Sequence, residues 1–424
     1  MLQRRVILAE YFTAEDRTLL FLVRKDFVEP IVKEIPKSTA QIRAFVAQYF
    51  QADSATDHQL RKSTSDKVYN LPEAEFHAFL HDFVSPLLEP DPAGNPITQP
   101  GDIVWFVPHD FLHYLPLHAV KLGEDYLSDL NPVCYTPSAS VMKYCHQKRK
   151  GKREKALILG DPLIYTKAQA LEIQSLFPPG AAELHIEDAA TDLLKRKLSE
   201  AKDDIDILHI ACHGDFDSEQ ALQSGITLPD GRLTAEDIFN LKMNVDLVIL
   251  SACETGINEN KPGDELIGLT RALIYAGTPS VVVSLWEVDA ISTSILMTQF
   301  YKELLDGATK VEALQQAQIE LRTMNIETAI AHYTKIQQRS PDLIDQRQLR
   351  WDMANLYYNV QDFSRAKELY QTLLPTTRPN SPEIEKINNL VLLCEIQEGS
   401  KPIQKYPYTH PYFWAPFVLI GDWR

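Results

Sequence analysis

The chain has 424 residues, 45% of them apolar, which is enough for a sizeable core spread over two or three domains. Its net charge of −16 excludes unselective nucleic-acid binding, which needs clustered Lys and Arg against phosphate. No apolar run approaches the roughly 18 residues of a membrane span, and five scattered cysteines exclude a disulfide framework and predict a reducing, cytoplasmic setting.

In chain order, Met1 to Arg5 is basic, but the apolar run behind it breaks at Glu10 and lacks a signal-peptide cleavage pattern. The first 35 residues read as a small β-meander, with strands near 5–9 and 18–23 around a turn at 13–16. Helical patterns follow near 38–51 and 72–88, separated by a polar loop at 53–57. The Pro- and Gly-rich stretch 90–101 leads into a strand at 103–107, so residues 1–151 form an α/β block. The basic run from Lys148 to Lys155 reads as a solvated connector, with a processing site or a patch for an acidic partner as alternatives.

From Ala156 strands and helices alternate, which predicts a parallel sheet with crossovers over residues 152–325. The expected strands are 156–159, 183–186, 205–211, 247–251 and 280–285, with 417–420 closing the sheet from a terminal segment, 402–424. The clearest helices are 265–275 and 293–305. Residues 326–401 form an insert. Ala354, Tyr357, Ala366 and Tyr370 fit the small and aromatic positions of a tetratricopeptide repeat, and Ala329, Tyr333 and Pro341 fit an earlier half-repeat. Too few repeats are present for a free-standing solenoid, so these helices are expected to pack on the preceding α/β domain or on a partner. A plain helical hairpin is the alternative.

Two strand ends carry the chemistry. The run Ile205 to Ala211 ends in Cys212-His213-Gly214, and Asp246 to Leu250 ends in Ser251-Ala252-Cys253-Glu254-Thr255-Gly256. Ligands of open α/β sheets bind outside the carboxyl ends of strands, and adjacent strands lie about 4.8 Å apart. A histidine at one tip and a cysteine at the next are therefore within reach of each other. A free thiol has a pKa of about 8.5 and needs such a base. Gly214, lacking a Cβ, lets backbone N–H groups approach a substrate carbonyl and, with the Cys253 N–H, form an oxyanion hole. The competing reading makes Cys253 a small core residue and His213 a satisfied buried histidine.

These motifs resemble the CHAT domain, a caspase-like peptidase family related to separase and often joined to tetratricopeptide repeats. Further matches run in order through Gly263-Asp-Glu-Leu-Ile-Gly268, Ser284-Leu-Trp286, Phe300-Tyr301 and His410-Pro-Tyr-Phe-Trp414, with Leu112-His-Tyr-Leu-Pro116 and Leu159-Gly-Asp-Pro162 on the amino-terminal side. The resemblance implies a caspase-like, mostly parallel sheet flanked by helices, with a Cys253–His213 dyad that cleaves a protein substrate through a thioester. It also implies that residues 1–151 resemble a degenerate copy of the protease fold.

The expected substrate contacts are Asp161, Asp264, Glu265, Ser284, Trp286 and Asp289, the acidic ones selecting Arg or Lys before the scissile bond. Each acid also suits a helix N-terminus. Many relatives carry an acid four positions after the tryptophan, where this chain has Ala290, which weakens the basic preference. The polar loop 257–262 and the insert supply material for a gate opened by an activating protein partner.

No cofactor or metal is expected. Phosphate-loop, dinucleotide and His-Glu-x-x-His patterns are absent, and His109, His113 and His118 lie in an apolar packing segment. The rival function is a silent interaction scaffold that binds a partner through the insert; a small-molecule hydrolase is disfavoured by the lack of a Gly-x-Ser-x-Gly elbow.

Overall fold

A computed structural model describes residues 4–51, 63–151, 153–160, 164–186, 191–199, 205–212, 214–215, 221–228, 230–251, 259–261, 265–339, 346–378, 381–400 and 402–424. It divides into two compact units, residues 1–319 with 411–424, and residues 320–410.

The first unit is built on one sheet of eleven strands: β1 (Val6–Thr13), β2 (Thr18–Arg24), β3 (Ile31–Ile35), β4 (Ile103–Val107), β5 (Val133–Tyr135), β6 (Ala156–Gly160), β7 (Ala182–His185), β8 (Ile207–Ala211), β9 (Leu247–Leu250), β10 (Ser280–Ser284) and β11 (Phe417–Gly421). Their spatial order is β3-β2-β1-β4-β5-β11-β10-β9-β8-β6-β7. Neighbours from β1 through β4 and β5 to β11 are parallel, and so are those from β10 through β9, β8 and β6 to β7. The two parallel halves meet antiparallel at the β10–β11 pair.

This corrects one expectation and adds to two others. The last strand does not close the sheet; β11 lies at its centre, joining the two halves. The boundary near residue 151 does not divide the sheet, because β5 from the amino-terminal block pairs directly with β11. The meander has three strands, β1 to β3, all in the same sheet.

Burial follows the chemistry of each strand. β4, β6, β8, β9 and β10 are buried at every position, the continuous apolar type that a sheet covered on both faces demands. In β1 the residues alternate, with Ile7, Ala9 and Tyr11 inside. Gly421 ends β11 with φ 103°, and a Cβ there would collide with the Pro279 carbonyl oxygen. Only glycine fits where the chain turns at the join of the halves.

Beneath the amino ends of β8, β9 and β10 lies a buried ionic cluster. Lys310 is fully buried, its Nζ 2.5 Å from Ser280 Oγ and 3.1 Å from Asp246 Oδ2. Asp246 also accepts from Arg153 Nε at 2.7 Å and from the Lys150 backbone N–H at 2.7 Å. Asp206 accepts the backbone N–H groups of Glu154 and Lys155 at 2.9 and 3.0 Å. The basic run is thus an anchored connector, with Lys148, Glu154 and Lys155 exposed. Carboxylates preceding β8 and β9 hold it against the floor of the sheet.

The second unit is helical. Ile326–Arg339, Gln346–Asn359, Phe363–Leu373 and Pro382–Gln397 are its principal helices. Ala354, Phe363, Ala366, Tyr370, Leu373, Ile387 and Cys394 share one core, where the alanines permit close helix approach and the rings fill the remaining space. Tyr370 donates to Asn355 Oδ1 at 2.7 Å. The hydroxyls of Tyr333 and Tyr408 are 2.9 Å apart. Pro341 lies outside the described residues.

Candidate active site

β8 and β9 run parallel in register, Ile207 opposite Leu247 through Ile210 opposite Leu250, and the Ser251 N–H continues the ladder to the Ile210 carbonyl at 2.9 Å. Their carboxyl ends therefore emerge side by side. His213 and Cys253, as well as Asp161 and Asp264, lie outside the described residues. What is described is the frame from which the segments carrying them depart: Ala211 and Cys212 on one strand, Leu250 and Ser251 on the next. Cys212 is buried, as Ala211 is.

Just past His213, Gly214 and Asp215 pair with Ile226 and Gly225, and Gly225–Leu228 pairs in turn with Gly231–Thr234. This small antiparallel sheet anchors the chain immediately after the expected base. Beyond Cys253, Glu259–Lys261 pairs antiparallel with Glu265–Ile267. The stretch expected as a polar loop thus contributes one strand of a hairpin. Glu265 begins its partner strand rather than a helix, which runs from Leu269 to Ala276.

The remaining expected contacts are packed. Ser284 and Trp286 are fully buried, and the Trp286 indole N–H donates to the Tyr412 carbonyl at 3.2 Å. Trp286 also meets the ring of Phe50, centroids 6.0 Å apart. Asp289 caps the helix Ala290–Leu305, accepting the Ser292 N–H at 2.8 Å. Burial raises the pKa of its carboxyl, opposed by hydrogen bonding from Ser292. Its replacement by Ala is expected to cost about 1 kcal/mol in a urea titration, whereas Asn, an equally good cap, leaves stability within a few tenths.

Sequence reading missed a buried polar pair at the strand end. Gln169, on the helix Ile164–Leu176, donates from Nε2 to Ser251 Oγ at 3.1 Å, and the same hydroxyl lies 3.4 Å from Gln169 Oε1. The residues are 82 positions apart and no local pattern links them. Nearby, His209 is fully buried, its Nδ1 3.2 Å from the Tyr301 hydroxyl, and burial lowers its pKa to about 3. It is neutral at physiological pH and part of the core.

The histidines of the 109–118 segment are likewise tied into packing. His109 Nδ1 lies 2.8 Å from Thr13 Oγ1, and His118 Nδ1 lies 2.9 Å from the Tyr135 hydroxyl. Burial lowers the pKa of both His113 and His118 to about 3. A small cleft opens beside the β10–β11 join, walled by Leu285, Val418 and Ile420 with Thr270 and Arg271. Asp289 is not among its walls.

Fold and strand ends together define an α/β protein with a large, mostly parallel sheet flanked by helices. The CHAT domain model matches residues 77–422, and the chain belongs to the CHAT domain family. Over 100 residues it is 33% identical to mouse tetratricopeptide repeat protein 28, and 34% identical to the human protein of the same name. Each match covers 24% of this chain and only 4% of the relative's own length. Among solved structures, separase in the Saccharomyces cerevisiae separase–securin complex is similar with a TM-score of 0.49 and 10% identity, over 74% of this chain and 29% of that one. The Arg-specific cysteine proteinase gingipain R is similar with a TM-score of 0.40 and 10% identity, over 63% and 65%. Among the described residues, no helix is long and apolar enough to cross a membrane.

Proposed function

We propose that this chain is a cysteine endopeptidase acting on a protein substrate. The observation that supports it best is the registered parallel pairing of β8 and β9, whose carboxyl ends lead directly into His213 and Cys253. In this reading His213 takes the Cys253 thiol proton and the thiolate attacks the scissile carbonyl. The developing oxyanion is held by backbone N–H groups at Gly214 and Cys253. Collapse of the tetrahedral intermediate breaks the C–N bond, and the imidazolium protonates the departing amine. Water activated by the neutral imidazole then hydrolyses the thioester, restoring the thiol. Cys134, Cys145 and Cys394 are free thiols, which suits work in a reducing compartment such as the cytoplasm.

Incubating the purified chain with a diverse peptide library and sequencing the cuts tests this reading. Discrete cuts that are lost on alkylation of Cys253 support it. An intact library under reducing conditions favours the silent scaffold instead. The same assay tests the acidic pocket: Asp289→Asn, which keeps the helix cap, lowers cleavage after Arg or Lys relative to Leu if Asp289 selects the substrate. An unchanged ratio leaves it a cap alone.

A further inference from the structure

We propose that Gln169 is a positioning residue for the nucleophile, acting through Ser251; the role rests on the peptidase reading above. Ser251 is the last described residue before Cys253, two positions ahead of it, and it is 8% exposed. Its backbone N–H is held by the β8 ladder at the Ile210 carbonyl. Its side chain is held by Gln169, which is 3% exposed and contacts the hydroxyl with both ends of the carboxamide. A buried carboxamide costs free energy unless its hydrogen bonds are made, so each member of this pair constrains the other. Together the two anchors fix both the backbone and the side chain of Ser251 at the end of β9.

Gln169 is well supported for such a task. Its neighbour Ala170 sits so close to the end of β6 that a Cβ on Gly160 would lie 3.3 Å from the Ala170 Cβ. The helix is therefore seated tightly on the sheet, with little room to drift. In the order β9-β8-β6 the strand that precedes His213 in the chain lies between the helix seat on β6 and the strand end that Gln169 reaches. The helix thus spans from its seat at the end of β6, made by Ala170, to the end of β9, where Gln169 holds Ser251. A shift of the thiol by about 1 Å can cost about 100-fold in rate, so a contact that touches no substrate still bears on turnover.

The test compares Gln169→Leu, Ser251→Ala and the double variant of the full chain. It measures kcat and KM on a peptide taken from the library, the rate of Cys253 alkylation by iodoacetamide, and the thermal midpoint. Each single variant is expected to lower kcat about 10- to 100-fold with KM within about twofold. The double variant is expected to lose no more than the worse single, because the two residues act as one unit. Alkylation of Cys253 is expected to change at least about threefold in the same variants, following its altered surroundings.

A lower midpoint with kcat and alkylation unchanged overturns the proposal, as does a double variant whose losses multiply. Ser251→Ala removes a single oxygen and keeps the test decisive if Gln169→Leu does not fold. If wild type cuts no peptide, the peptidase reading falls by itself, and the alkylation rates still test the clamp.

Discussion

Replacing Cys253 or His213 with alanine is expected to abolish peptide cleavage while leaving the thermal midpoint close to wild type. Removing a nucleophile or its base costs roughly 10⁴- to 10⁶-fold in kcat where the two act as a unit, and the double replacement then costs about as much as either alone. Cys212 provides the internal control. It directly precedes His213 yet is buried at the end of β8, and side chains alternate across a strand. Cys212→Ala is therefore expected to retain activity. The measurement is the initial rate on a library-derived peptide, paired with mass-spectrometric mapping of the alkylated thiol. Inactivation that tracks modification of Cys212 with Cys253 untouched sinks the assignment.

The second large effect lies at the opposite end of the same strands. Lys310 is buried against Asp246, and burial outweighs that attraction, lowering its pKa from 10.5 to about 8. The shift amounts to about 3 kcal/mol, at roughly 1.4 kcal/mol per unit. Below pH 8 the ammonium is charged in both folded and unfolded chains, and its full desolvation cost weighs on the fold. Between about 8 and 10.5 the unfolded chain holds a proton that the folded chain has released. The Lys310 contribution to stability therefore rises with pH across that window.

Two substitutions separate the terms. Asp246→Ala leaves Lys310 and Arg153 without their shared carboxylate, and the expected loss is about 3–5 kcal/mol at pH 7. Lys310→Met keeps the volume, removes the buried ammonium and leaves Asp246 its bonds from Arg153 and the Lys150 N–H. This variant is expected to match or exceed wild-type stability at pH 7 by about 1–3 kcal/mol. Its advantage shrinks as pH rises from 8 to 10. Urea titrations at both pH values decide it. An Asp246→Ala loss below about 1 kcal/mol would falsify the account, as would a Lys310→Met advantage that grows with pH.

Local pattern and long-range contact divide the chain cleanly. Residues 205–211 and 247–251 were legible as buried strands, because a strand covered on both faces is apolar nearly throughout, and these runs are apolar except at Asp206, His209 and Ser251. The punctuation after them was equally legible, since small and polar residues that break an apolar run mark a strand end. Alanines at 329, 354 and 366 announced close helix packing, because only a small side chain allows it, and all three are fully buried. Asp289 could be read from sequence as a cap or as a substrate acid; the 2.8 Å bond from the Ser292 N–H shows the cap, and the Asp289→Asn assay measures the substrate role.

Tertiary structure alone decided what depends on partners distant in sequence. The position of β11 at the centre of the sheet follows from pairing with β5 and β10, far back in the chain, and an apolar strand of five residues suits an edge or a middle equally well. Glu265 begins a strand rather than a helix because Lys261 lies across from it, a cross-strand contact that helical periodicity does not encode. Lys310 begins a helix and carries no local sign of burial; Asp246 and Ser280 enclose it only in the fold. Gln169 and Ser251, each unremarkable in its own segment, are joined only because a helix seats on the end of β6 and its side chain reaches the tip of β9. Hydrogen bonds and ion pairs of this kind leave no periodic trace along the chain, since each partner's chemistry is satisfied by a residue whose position only the fold sets.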